Sequence, residues 1–71
     1  MDLDILNDFV GKYVNIVILK PSENKRWFFT ATIIKVGEEF IYFIDKFGRS
    51  HSFKISDIEE ISEYVRNKNE D

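Results

Sequence analysis

Seventy-one residues make at most one domain, and with no Cys and a single His that domain has neither a disulfide framework nor the ligands for a structural zinc. A core this small only just offsets chain entropy, so its support has to come from the 15% of aromatic residues, whose rings each bury roughly 150–250 Å², or from self-association. The net charge of −3 excludes a uniformly cationic surface, yet it is unevenly placed: residues 1–10 carry −3, residues 11–54 carry +4 and residues 55–71 carry −4.

Residues 2–10 are expected to form a short helix, capped by Asp2 or Asp4 and ended by Gly11, with Leu3, Leu6 and Val10 on one face. Two to three turns do not stand alone, so this helix has to lie on the rest of the domain as a lid. Along residues 12–20, Val14, Ile16 and Ile18 alternate with Tyr13, Asn15, Val17 and Leu19, a strand whose β-branched set faces the core. Its second set is also largely apolar and calls for a cover on the other face. Pro21, Ser22, Glu23 and Asn24 make a turn.

The stretch KRWFFTATIIKV, residues 25–36, is the longest run with strand character and holds the only Trp. Trp27, Phe29, Ala31 and Ile33 share one face, Arg26, Phe28, Thr30, Thr32 and Ile34 the other, and a bulge near Lys35 returns Val36 to the core. A strand of this length in so small a domain is expected to bend and to close a short barrel. Turns at Gly37, Glu38 and Glu39 and at Lys46, Phe47 and Gly48 bracket a third strand over residues 40–45. A fourth covers residues 49–55, with Arg49, His51, Phe53 and Ile55 alternating against Ser50, Ser52 and Lys54. Ser56 and Asp57 start a single helical turn, and Ile58 and Ile61 mark a last strand that closes the barrel. The expected architecture is mainly β: a five-stranded small barrel over residues 1–64, with a short N-terminal helix, a one-turn helix before the last strand and a disordered polar tail over residues 65–71.

Three stretches carry a family resemblance. FVGKYVNIVI, from Phe9, looks like the F-x-G-K-x-V-x-V-x-L opening of Sm-like proteins and of the C-terminal domain of RimP-type ribosome-maturation factors. FTATIIKV, from Phe29, is similar to their F-x-G-x-L-x-x-V strand, with Ala31 where Gly is usual, and FKISDIEEI, from Phe53, is similar to their closing turn and strand. The resemblance implies an SH3-like small barrel, often linked to RNA and often oligomeric. The Asp and Asn with which Sm proteins form a base pocket have no counterpart between Glu38 and Tyr42, and their Arg-Gly or Lys-Gly is absent before Asp57, so the pocket itself is not implied.

The basic middle supplies the candidate site. Lys20, Lys25, Arg26 and Lys35 offer cations to phosphates, and Trp27 offers a stacking face to a base, which suits single-stranded RNA. The alternative is that these cations only solubilise a hydrophobic strand whose Trp27 sits in the core. His51 is expected to be a structural or rim residue, since one His with no Cys makes neither a metal site nor a recognisable triad, and neither enzyme chemistry nor a cofactor is expected. Trp27, Phe28, Tyr42 and Phe43 are the residues of a possible aromatic cage for a methylated Lys, against core packing, and the acidic segment after Asp57 is a docking surface for a basic protein or a solvated face. A second functional reading is an assembly module in which apolar edges of the first and third strands pair with a copy of the chain or with a protein partner. The acidic N-terminus is unlike a signal peptide and no apolar run reaches membrane-spanning length, so a cytoplasmic protein with no membrane association is expected.

Overall fold

Alternation of apolar and polar side chains dominates this chain, and in the computed structural model, which describes residues 2–65, it is realised as strands. The helix α1 (Leu3–Asn7) begins where the Asp2 carboxylate accepts the Asp4 amide. It is shorter than expected because after Asn7 the turns tighten, the amides of Asp8, Phe9 and Val10 donating to the carbonyls of Ile5, Leu6 and Asn7, before Gly11 takes φ +84. Leu6 is fully buried and Phe9 packs against the core, so the helix does lie on the sheet, beside β2 (Lys25–Val36). The Gly11 amide donates to the Ile33 carbonyl at 2.7 Å and anchors the crossing.

Four further strands complete the sheet: β1 (Tyr13–Lys20), β3 (Phe40–Asp45), β4 (Ser50–Lys54) and β5 (Ile58–Glu63). All pairings are antiparallel, in the order β4-β3-β2-β1-β5. A 3₁₀ turn, Pro21–Glu23, joins β1 to β2 through left-handed Asn24, and a second, Ile55–Asp57, precedes β5. The mainly β, five-stranded architecture is therefore as read from the sequence, including the register shift in β2 between Ile33 and Lys35. Val14, Ile16 and Ile18 of β1 meet Ile33, Ile41, Phe43 and Phe53 in one buried cluster.

Two expectations are corrected. The last strand does not close the barrel: β5 pairs with β1, and among the described residues no ladder joins it to β4. Ile55 and Ile58, on either side of the turn into β5, are both buried in the core cluster. The sheet is thus compatible with a barrel-like fold without being a closed one. Second, β1 and β3 lie inside the sheet with both edges paired, so the free edges belong to β4 and β5. Of the tail expected over 65–71, Val65 is exposed and the remainder lies outside the described residues. No described helix is long and apolar enough to cross a membrane.

Candidate nucleic-acid interface

The five residues singled out in the sequence are divided by the fold. Lys20 and Lys25 are cross-strand partners at one end of the β1-β2 ladder, and Ile18 pairs with Trp27 two residues further in. The Lys20 ammonium lies over the rings of Trp27, at 5.8 Å, and Phe53, at 5.5 Å. Trp27 is half-buried, packed edge-on against Phe29 and Phe53, so its ring is largely committed to the core cluster. Arg26 points to the other face and is ion-paired with Glu59 at 3.0 Å. Lys35 sits ten residues along the strand, over Tyr42. Lys20, Lys25 and Trp27 form one group; Arg26 and Lys35 do not join it.

The more accessible aromatic surface lies elsewhere, where β2 meets the β3-β4 hairpin. Phe28 is 73% exposed and Phe47 75% exposed, far above the other rings of the molecule. Together with Thr30, Asp45, Lys46, Arg49 and His51 they line a cleft of about 260 Å³. The ion pairs among the described residues are Lys12 with Glu63, Arg26 with Glu59 and His51 with Asp45, so no carboxylate engages Lys46 or Arg49, and the Lys46 ammonium lies 5.3 Å over the Phe47 ring. Phe28 is exposed because strand alternation puts Trp27 and Phe29 inward and leaves Phe28 beside Val17 on the outer face.

The hairpin that carries Phe47 is held from several directions. Gly48, at φ +81, ends a three-residue loop closed by the Asp45 amide donating to the Arg49 carbonyl. One Asp45 oxygen accepts the amides of Phe47, at 2.8 Å, and Arg49, at 2.9 Å, while the other lies 2.8 Å from His51 Nε2. The Lys46 amide donates to the Thr30 carbonyl and ties the loop to β2. His51 in turn is stacked among Phe29, Phe43 and Phe53, with ring centroids 4.7, 5.3 and 6.1 Å away. His51 is therefore a structural residue that orients Asp45, and Asp45 orients the loop.

His51 and the turn amides hold the Asp45 carboxyl below the ordinary Asp range, the His51 hydrogen bond contributing most and burial opposing it. A carboxylate depressed by folding stabilises the fold fully above its unfolded pKa, and that contribution disappears as pH falls through the lower folded value. Wild-type thermal midpoints should accordingly drop below about pH 4, and Asp45→Asn should flatten part of that acid limb. Melting curves of both proteins from pH 7 downward, if parallel throughout, would remove Asp45 from this role.

The aromatic cage is not assembled. Phe43 is buried and Trp27 points inward, whereas Phe28 and Tyr42 point out, so the four rings do not converge. In the sequence Phe47 and Lys46 stand only as turn residues. An aromatic and a cation at a hairpin tip, where neither is needed for packing, was the available signal. Compared with protein-family models, with curated proteins and with solved structures, the chain matches none.

Proposed function

We propose that this chain is a non-catalytic barrel-like module that binds single-stranded RNA, with bases stacking on Phe28 and Phe47 and phosphates meeting Lys46 and Arg49. The observation that carries the reading is the pair of rings that stay about three-quarters exposed, Phe28 on β2 and Phe47 on the β3-β4 hairpin, beside two cations that no described ion pair engages. Exposed rings cost nothing further to present, and each stacked base is worth roughly 1–3 kcal/mol. The resemblance to Sm-like and RimP-type domains, which are linked to RNA, supports the same reading.

The test is fluorescence anisotropy of a labelled oligouridylate of about ten nucleotides, within the span that a small β-barrel covers, at a series of salt concentrations. Binding should weaken with salt along a line whose slope is about −0.7 per phosphate engaged, and Lys46→Gln and Arg49→Gln should each make the line shallower. Salt-independent binding, or none at low salt, would contradict the proposal.

A second reading rests on a different surface. Ile34, Tyr42 and Ile44 are exposed and adjacent on the outer face, and β4 and β5 have free edges, which suits assembly with a copy of the chain or a protein partner. Light scattering distinguishes the two readings: a mass that stays at one chain over a wide concentration range removes self-assembly, and a salt-insensitive oligomer favours it.

A further inference from the structure

At the far end of β4 from the aromatic tip lies a polar cleft of about 350 Å³, lined by Lys20, Lys54, Ser22, Ser52, Ser56 and Asp57 above the ring of Phe53. Among the described residues none of the three Ser hydroxyls takes part in a side-chain hydrogen bond. Neither Lys20 nor Lys54 is in an ion pair, although Asp57 shares the cleft and Glu38 and Glu39 border the next cleft beyond Lys54. Lys20 is held in position by the rings of Trp27 and Phe53, and directly across the ladder stands Lys25. Two like charges opposite one another in an antiparallel pair oppose folding, and an anion placed between them and Lys54 removes that cost.

We infer that this cleft is a phosphate-binding site, in which the ammonium groups of Lys20 and Lys54 neutralise the anion and the hydroxyls of Ser22, Ser52 and Ser56 donate to its oxygens. Even with Asp57 counted, the cleft and Lys25 retain net positive charge. The assignment of the phosphate to an RNA strand rests on the function proposed above. On that reading the strand runs along the free edge of β4, from the aromatic tip at Arg49 to Lys54, about 17 Å away at the rise of a β-strand.

The experiment has two arms. In the first, the full chain is titrated with inorganic phosphate, with chloride at matched ionic strength as control, and backbone amide shifts are followed by NMR. Saturable shifts confined to Lys20, Ser22 and residues 52–57, lost in the Lys20→Gln/Lys54→Gln double variant, are expected. Shifts that rise linearly and match those in chloride overturn the site. In the second arm, the double variant binds the oligouridylate with a salt slope reduced by about 1.4 if each lysine faces a phosphate. A phosphate site in a protein that binds no RNA leaves the cleft standing and removes the RNA reading. RNA binding at an unreduced slope leaves the RNA reading standing and overturns the cleft as part of the path.

Discussion

Replacing Phe28 and Phe47 together by Ala is expected to weaken binding of the oligouridylate about a hundredfold, since each ring that stacks on a base contributes roughly 1–3 kcal/mol and every 1.4 kcal/mol is tenfold. Each single variant should lose about tenfold. Both rings are already mostly in water, so little packing is surrendered, and surface changes of this kind shift stability by about 0.5 kcal/mol or less. The expected pattern is thus a large loss of affinity with an unchanged melting curve. The salt dependence should remain, because Lys46 and Arg49 are untouched. Affinity unaltered in the double variant would mean that neither ring meets a base.

Phe43→Ala is expected to do the opposite and abolish the fold. Phe43 is 1% exposed and its ring lies 5.2 Å from Phe29, 5.3 Å from His51 and 5.8 Å from Phe53. Truncating a buried Phe costs about 3–5 kcal/mol, which is comparable with the whole stability of a domain this small, at roughly 0.05–0.15 kcal/mol per residue. His51 and Asp45 would lose their backing at the same time, so the effect reaches the hairpin tip. Loss of the cooperative thermal transition and collapse of amide dispersion are the results to look for. Phe43→Leu should retain both at a lower midpoint. A folded Phe43→Ala protein of near wild-type midpoint would show that the aromatic cluster is not the principal support of the domain.

The two variants separate what the sequence makes legible from what it hides. The inward set Val14, Ile16 and Ile18, the inward turn of Trp27 with Phe29 and the bulge before Val36 all follow from period-two alternation. The start of α1 follows from Asp2, whereas its end at Asn7 falls four residues before Gly11. What alternation does not reveal is neighbourhood. Which strands become edges depends on the chain path after Lys54, where Ile55 and Ile58 pack into the core and send β5 to β1. The capture of two amides and His51 by Asp45 joins residues whose meeting is set by the β3-β4 register.

The same reason explains the candidate site. Lys20, Lys25 and Trp27 are legible as a basic-aromatic cluster because Lys25 and Trp27 lie two positions apart in the chain and Lys20 lies across a turn. Arg26 reads as a free cation until the fold brings Glu59, 33 residues away, to its guanidinium. Phe28 and Phe47 are 19 positions apart in the chain and share a cleft because β2 pairs with β3 up to Ala31 and Asp45 and the Lys46 amide is bonded to Thr30.

The most direct test of the central proposal is a two-dimensional amide NMR titration of the full chain with unlabelled oligouridylate at low salt. The proposal predicts the largest shifts at residues 28–30 and 45–49, fading as salt is added and absent in the Phe28→Ala/Phe47→Ala variant. Shifts centred instead on the outer face around Ile34, Tyr42 and Ile44, or none at any residue, would contradict it.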